Sequence, residues 1–427
     1  MNNSPISYRN LFHVFGRIGL MSFGGPAAQI ALMHRELVEE RPWLDENSFL
    51  NALSFCMLLP GPEAMQLATW AGWKKRGILG GLIAGSLFVI PGAIMVLALA
   101  LAYAYFGNLP VVQSIFLGVK AAVVVIVIEA LIKVSRRAFG QESSLSAVQC
   151  RIIAGLSFAG IFALNLPFPF IILLAGLWGY AMGGTQIDPP KTHQAQRPRH
   201  TAWVLLIGGL IWALPFAFVA ISDMAPFLAN SGIFFSKLAV VTFGGAYAVL
   251  AYMTQEVVST YNWLTTGEML DALGLAETTP GPLILVTEFV AAVAGQKQGG
   301  VSLAIANAAL TLWVTFVPCF IWIFASAPWL ERIMAYPRLR TALRAITAAV
   351  VGVIANLSVW FAVHVFFDQV TTTNFGFVSV LTPSLNSINL IACGLTLLAS
   401  VMLLWRKWNL LLVLLIMGIA GFMTGFL

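Results

Sequence analysis

The sequence predicts an all-α polytopic membrane protein with two homologous repeats of inverted topology, each of about six transmembrane helices. Three observations predict this fold. First, 59% of the 427 residues are hydrophobic and only 9% are charged, whereas soluble domains carry about 25% charged residues. Second, apolar runs of about 20 residues, which suffice to cross a bilayer, recur along the chain. Third, a series of motifs in the first half returns 220 residues later, as an internal duplication would produce.

The duplication is clearest between residues 15–62 and 235–282, where 17 of the 48 aligned positions are identical without a gap. Each copy contains a Phe-Gly-Gly and a Pro-Gly-Pro triplet, at 23–25 and 60–62 and again at 243–245 and 280–282. These triplets predict broken helices, because Gly is conformationally free and Pro lacks an N–H. From Pro91 onward the halves realign after a shift of seven residues, with Pro91 on Pro318. The duplication therefore covers most of each half.

The apolar runs predict about thirteen spans, six in each repeat, joined by one extra span. The first repeat has spans at 11–33, 48–72, 78–106, 111–132, 148–163 and 167–183. The second has spans at 234–255, 267–295, 301–325, 345–367, 385–404 and 408–426. A basic linker at 184–200 and the extra span at 202–221 lie between them. The predicted domains are an N-terminal repeat at 1–183, the linker with its span at 184–232, and a C-terminal repeat at 233–427.

The loop charges predict how the repeats face, because short loops rich in Lys and Arg remain in the cytoplasm. In the first half the loops at 74–76 and 133–137 are basic, and their second-half counterparts carry one cation or none. Conversely, the uncharged loops at 107–110 and 164–166 have basic counterparts. The second repeat is therefore predicted to be inverted, with the N-terminus cytoplasmic and the C-terminus periplasmic. These loops, rather than binding of nucleic acid, account for the net charge of +6.

Inverted repeats with interrupted helices are typical of alternating-access transporters that bind substrate near the bilayer midplane. Broken backbone at membrane depth must be buried in protein or line a cavity. Helices that restart after a break direct N–H groups at that cavity, which favours an anion. Alternatively, each break is only a structural kink.

The candidate substrate-binding residues are two matched cations and the residues around the four breaks: Arg17, Ser22, Phe23, Gly24, Gly25, Pro26, Pro60, Gly61, Pro62, Lys237, Thr242, Gly244, Gly245, Thr278, Thr279, Pro280, Gly281 and Pro282. Arg17 and Lys237 lie six residues before Phe23 and Phe243, and two cations suit a dianion. Alternatively, both side chains reach to the interface and anchor helix ends. The candidate coupling or structural carboxylates are Glu36, Glu63, Glu256 and Glu277.

Other chemistries find little support in the sequence. There is no GxxxxGK[ST] motif for an ATP-driven pump, and no HExxH motif or close Cys/His cluster for a metal. We therefore expect no catalytic residues, no metal and no cofactor.

The motifs resemble those of the chromate ion transporter family. Ser22–Pro26, Arg35 to Trp43, and Leu59–Pro62 with Gln66–Ala68 and Gly72 look like its N-terminal domain, and the second copy from Phe243 to Pro282 looks like its C-terminal domain. Because both halves match, the chain is similar to the long, two-domain form. The resemblance implies a multi-pass protein of the bacterial inner membrane that exports chromate and confers chromate resistance, with sulfate as the competing oxyanion. Export would be driven by the membrane potential or the proton motive force.

Two alternatives from other functional classes remain open. One is uptake or exchange of sulfate or another tetrahedral oxyanion, with Glu63 or Glu277 carrying a proton. The other is a membrane reductase, which would need a flavin, a haem or paired thiols. The oligomeric state also stays open, and a homodimer is one option.

Overall fold

The structure is a computed structural model that describes residues 6–140, 145–184, 198–221, 225–243, 246–330, 336–375 and 378–426. Helices dominate these ranges, as the sequence predicts. The first-half helices are α1 (Tyr8–Met21), α2 (Gly25–His34), α3 (Glu46–Cys56), α4 (Glu63–Phe106), α5 (Pro110–Gly140), α6 (Ala147–Phe162) and α7 (Phe168–Met182). The remaining helices are α8 (Pro198–Val219), α9 (Ala225–Val241), α10 (Ala246–Gln255), α11 (Thr266–Thr278), α12 (Val286–Ser326), α13 (Pro337–Phe366), α14 (Leu390–Ser400) and α15 (Leu410–Thr424).

Helices end and restart at the triplets in the first half, where α1 stops before the Phe-Gly-Gly triplet and α4 starts after Pro-Gly-Pro. In the second half, a 3₁₀ turn at Leu283–Leu285 intervenes between Pro282 and α12. Gly244 and Gly245 lie outside the described residues. Short π-helical turns follow α2 at Arg35–Glu40 and α10 at Glu256–Thr260, which are aligned positions of the two halves.

α4 and α12 are each folded back on themselves rather than straight. Their backbones leave the helical conformation at a left-handed glycine, Gly77 with φ +65° and Gly300 with φ +77°. A Cβ added to Gly72 would lie 2.3 Å from the carbonyl oxygen of Gly80, although residues eight apart in a straight helix are about 12 Å apart. Each element is therefore a helical hairpin of two arms, which agrees with the separate spans predicted on either side of these turns.

The chain divides into two compact units. The first unit comprises Met1–Ala104, Asp188–Ala246 and Ala276–Ala335, and in it α12 packs against α8 and α9. This unit contains both Pro-Gly-Pro triplets and the first Phe-Gly-Gly triplet. Because it takes segments from both predicted repeats, the compact units and the sequence repeats divide the chain differently.

The second unit comprises Tyr105–Ile187, Tyr247–Leu275 and Tyr336–Leu427. In it α13 packs against α5, α6 and α7, while α14 and α15 pack against α5. The aligned runs Ala121–Val124 and Ala348–Val351 are buried in this unit. Small and β-branched side chains let helices approach closely in a membrane protein, where packing rather than water exclusion drives association.

Among the described residues, five helices are long and apolar enough to cross a membrane: Glu63–Phe106, Pro110–Gly140, Arg199–Val219, Leu283–Trp329 and Pro337–Phe366. Five shorter apolar helices accompany them. Together they support a membrane protein, while the count of thirteen spans and the inversion of the repeats stay predictions.

A β-hairpin lies in the segment 368–384, which contains no Lys or Arg and was expected to be a loop between two spans. Strand β1 (Val370–Phe375) pairs antiparallel with β2 (Val378–Pro383), with Val370 opposite Pro383. Threonine and valine are enriched in both strands, and these residues favour extended backbone. The Thr373 hydroxyl also lies 2.7 Å from that of Thr382 across the pair. The hairpin is thus a local exception in a structure whose other described elements are helical.

Candidate functional site

Two backbone hydrogen bonds join the break loops of the two sequence halves within the first unit. Gly61 N–H donates to the carbonyl oxygen of Thr242 at 2.9 Å, and Gly281 N–H donates to the carbonyl oxygen of Ser22 at 2.8 Å. Gly61 aligns with Gly281 and Ser22 aligns with Thr242, so the two bonds are reciprocal. Each Pro-Gly-Pro loop is therefore held against the Phe-Gly-Gly break of the opposite half.

Two buried glutamines satisfy further carbonyl groups of these loops. Gln29 Nε2 donates to the carbonyl oxygen of Gly281 at 2.6 Å and to that of Ser22 at 3.3 Å. Gln66 Nε2 donates to the carbonyl oxygen of Pro60 at 2.7 Å. Unpaired backbone groups are costly away from water, so these bonds explain how irregular backbone persists inside an apolar protein.

The hydroxyl groups at the breaks donate within the protein. Ser22 Oγ donates to the carbonyl oxygen of Ile18 at 2.6 Å, and Thr242 Oγ1 makes the equivalent bond to Leu238. Thr279 Oγ1 donates to the carbonyl oxygen of Ala276 at 3.2 Å. In this conformation these three hydroxyl protons are therefore occupied rather than directed at a ligand.

The first Phe-Gly-Gly break is the more accessible of the described breaks. Gly24 is left-handed at φ +87°, precedes α2, and supplies no side-chain cap to it. The stretch from Phe23 to Pro26 is half-buried, and Ala27 and Ala28 in the first turn of α2 are exposed. The triplet at 280–282 is buried, as are Gly61 and Pro62. The uncapped N–H groups at the start of α2 are thus open, which is the arrangement that attracts anions.

The two matched cations are both exposed. Arg17 Nε lies 3.6 Å from Oε1 of Glu36, whose side chain is fully buried, and Arg41 hydrogen-bonds the other oxygen of Glu36. Two cations therefore share the carboxylate of Glu36, and Arg41 also lies 3.5 Å from Glu40, so the positive charges of this cluster are balanced by carboxylates. Lys237 has no ion-pair partner in the described part of the chain.

The remaining candidate carboxylates occupy different environments. Glu63 is half-buried at the start of α4, and Glu277 is buried near the end of α11. Glu256 begins the second π-helical turn and belongs to the other compact unit. The break geometry of the first unit therefore does not include Glu256, while Thr278 is half-buried beside Glu277.

Sequence reasoning did not place Gln29, Gln66 or Arg41 among the candidate site residues, although Gln66 was recognised as part of a motif. The two glutamines are polar residues in apolar helical segments. A polar residue in such a segment indicates a buried hydrogen bond and could have been used to predict their role. Arg41 follows Glu36 by five residues, a spacing that brings the two side chains together only because the intervening turn is π-helical.

Comparisons with known proteins agree with the sequence motifs. The family model described as chromate transporter matches residues 9–180 and 229–422. A chromate transport protein of Pseudomonas aeruginosa is 31% identical over 98% of this chain and 93% of its own length. One of Cupriavidus metallidurans is 30% identical over 82% of this chain and 81% of its own length. An uncharacterized transporter of Methanocaldococcus jannaschii is 26% identical over 99% of this chain and 95% of its own length. No solved structure is significantly similar to the chain.

Proposed function

This chain belongs to the chromate transporter family, and we propose that it is a secondary transporter that exports chromate across the bacterial inner membrane. Its export would confer resistance to chromate. The observation that carries the proposal is the reciprocal bonding of the break loops around an uncapped, accessible helix start. Such a helix start is suited to an oxyanion.

Electrostatics favours export over uptake. Moving one charge through 100 mV is worth about 2.3 kcal/mol, so a dianion that leaves an inside-negative cell gains roughly 4.6 kcal/mol. The membrane potential alone can therefore drive export. Uptake of the same dianion would need cotransported cations to overcome this energy.

We place the anion at the start of α2. The exposed first turn there offers backbone N–H groups and the positive end of a helix dipole. Arg17 pairs with Glu36, which follows the other end of α2, so the helix start itself supplies the attraction in this proposal. Lys237 is the matched cation of the second half. Chromate and sulfate are both tetrahedral dianions, so we expect sulfate to compete at this site.

The Pro-Gly-Pro loops have a different role in this proposal. They are buried and their glycine N–H groups are already bonded, so they brace the breaks rather than contact the anion. In an inverted-repeat transporter, paired braces at aligned positions are suited to stay together while the surrounding helices rock.

Chromate flux into everted membrane vesicles tests the proposed function. Uptake into such vesicles corresponds to export from the cell, and an interior-positive potential should drive it. We expect accumulation that depends on the potential and that excess sulfate reduces. Absence of chromate flux under every imposed gradient would overturn the assignment of substrate.

A further inference from the structure

Glu288 is a buried carboxylic acid that the anion site does not use. It lies in the first turn of α12, and only 1% of its surface is exposed. Its Oε2 atom has no hydrogen-bond partner among the described residues. An unpaired charge is very costly in such a place, and a carboxyl group there becomes neutral by binding a proton.

Buried polar side chains of the other arm of α12 lie at the level of Glu288. Asn307 Nδ2 donates to the carbonyl oxygen of Ala291 at 2.9 Å and so ties the two arms together. Glu288 lies one turn before Ala291 and Thr311 one turn after Asn307. Because the arms are antiparallel, these steps run in the same direction and bring Glu288 and Thr311 to the same level. Both Asn307 Oδ1 and Thr311 Oγ1 are buried without a partner in the described chain.

The polar side chains continue as a stripe along the second arm. Asn307, Thr311, Thr315 and Cys319 recur every four residues, and each is at most 1% exposed. Thr315 Oγ1 bonds the carbonyl oxygen of Thr311, and Cys319 Sγ donates to that of Thr315 at 3.4 Å. A Cβ on Gly61 would lie 2.8 Å from Cys319 Sγ. The stripe therefore runs from the level of Glu288 to the first Pro-Gly-Pro loop.

The first half lacks this stripe. With the seven-residue shift that places Pro91 on Pro318, the aligned positions are occupied by Gly80, Ala84, Phe88 and Gly92. The helical hairpin of α4 therefore forms without polar side chains at these positions. The polar side chains of α12 must have another role.

Charged groups do not neutralise Glu288 in this conformation. Ring contact between Tyr103 and Phe289, with centroids 5.4 Å apart, places α4 against this part of α12. The other ionisable side chains of α12 and of the segments of this unit that adjoin it are Lys297 and Cys319 on α12, Glu277 before it, Glu63, Lys74, Lys75, Arg76 and Tyr103 on α4, Arg199 and His200 on α8, and Lys237 on α9. Within the described chain, none of these forms a hydrogen bond or ion pair with Glu288.

We propose that Glu288 is a proton-binding site that couples oxyanion export to proton uptake by the cell. The hydroxyl and amide stripe connects it to the first Pro-Gly-Pro loop, so that rearrangement of the loops changes its access to water. This inference rests on the proposed export function, and it adds an exchanged proton to a cycle that the potential already favours.

Carbodiimide labelling tests the proton directly, without reference to chromate. Dicyclohexylcarbodiimide reacts with protonated carboxyl groups in apolar surroundings, and the adduct is located by mass spectrometry of the full-length protein. We expect labelling at Glu288 that declines as pH rises and is lost in Glu288→Gln. Absence of labelling on Glu288 in the wild type at every pH from 5 to 9 would overturn the proposal.

Proton movement during chromate flux tests the coupling. Everted vesicles carrying wild-type protein should lose internal protons as chromate accumulates, and a trapped pH dye reports the change. Glu288→Gln should lose this proton movement but keep potential-driven chromate uptake, while Glu288→Asp should retain both in part. The control Glu129→Gln, which alters an acid paired with Lys133 on α5, should match the wild type.

The outcomes separate the two proposals. Equal proton movement in wild type and Glu288→Gln, or proton-independent uptake that requires sodium, would refute the coupling role and leave export intact. If no chromate moves in the wild type, the export proposal fails and coupling fails with it, while the labelling result still decides whether Glu288 holds a proton.

Discussion

At the scale of single residues, ion pairing decides how much charge each cation offers to a ligand. Arg17 and Lys237 are identical in position along the two copies, yet Arg17 is paired with the buried Glu36. The sequence could suggest both cations but not this pairing, since the two residues lie on different elements, α1 and the turn after α2. The bond from Gln29 to Gly281 spans 252 residues of sequence and could not be predicted, whereas Gln66 bonds the nearby carbonyl group of Pro60.

His34 provides a pH-dependent contact in the same region. Its ring nitrogens lie 2.7 Å from Glu46 and 3.0 Å from Glu39. Carboxylates only accept hydrogen bonds, so both nitrogens must carry protons for both bonds to form. The hydrogen bond to Glu46, ahead of the contact with Glu39, raises the pKa of His34 above its usual value.

We predict that His34→Gln destabilises the protein more at low pH than at high pH. A raised pKa gives stability that is fully present below the unfolded value of about 6.5 and is lost as pH rises through the folded value. Melting temperatures in detergent, measured from about pH 6 to 9, should show that the difference between His34→Gln and wild type becomes smaller as pH rises. His13, whose ring contacts a carbonyl rather than a carboxylate, supplies the control His13→Gln. A difference that stays constant across this range would contradict the prediction.

At the scale of the elements, the break loops depend on glycine for two separate reasons. Gly61 has φ +119°, and a Cβ there would lie 2.8 Å from both Cys319 Sγ and Gln66 Nε2. Gly25 has φ +77° but no atom within 4 Å of the added Cβ. Substitution of Gly25 therefore tests backbone strain alone, whereas substitution of Gly61 tests backbone strain together with crowding.

We predict that Gly61→Ala lowers stability more than Gly25→Ala does. A left-handed alanine costs about 1–2 kcal/mol, which applies to both variants, and crowding adds about 1–3 kcal/mol at Gly61 only. Denaturant unfolding in mixed micelles measures the difference. Equal losses in the two variants would show that the loop relaxes without cost around Gly61.

An ion pair joins α5 and α11. Lys120 is nine residues from Glu129, a poor spacing for a pair within one helix, and its partner lies on another element. Its Nζ lies 2.9 Å from Oδ1 of Asp271, and the two side chains are only 19% and 10% exposed. Glu129 pairs instead with Lys133 at a helical spacing of four.

Replacing one partner of this pair should be costly. Lys120→Met leaves a buried carboxylate without its cation, so we expect a loss of about 3–5 kcal/mol. The double variant Lys120→Met/Asp271→Leu should recover much of that loss. Lys133→Met, in the more exposed pair with Glu129, should cost about 0.3–0.5 kcal/mol. Chemical unfolding of the four proteins tests this, and a double variant as unstable as Lys120→Met would contradict it.

Most elements were predictable because hydrophobic runs and Gly/Pro punctuation are local signals. The turns at Gly77 and Gly300 fall between predicted spans, and helices end where the described triplets predict. The strand pair at 370–383 was missed, since the loop without Lys or Arg was read only for its charge and its threonines were not weighed for strand propensity. The type of most elements could therefore be predicted from the sequence more reliably than the residues at which they begin and end.

At the scale of the whole molecule, the repeats seen in sequence are not the compact units of the fold. Predicted boundaries at 1–183 and 233–427 follow the duplication, whereas each compact unit takes segments from both copies. Local sequence patterns give the faces of helices but not their partners. The reciprocal bonds between break loops, which support the proposed site, were therefore beyond prediction even though every loop in them was identified.

The central claim is that the start of α2 binds the transported dianion, and Ala27 offers a direct test of it. Ala27→Asp places a negative charge in the exposed first turn, where it favours the helix but repels a dianion, and Ala27→Asn has the same shape without the charge. Potential-driven chromate uptake into everted vesicles should fall about tenfold or more in Ala27→Asp relative to Ala27→Asn, at equal amounts of inserted protein. Equal uptake by the two variants would contradict the account and move the anion site away from this break.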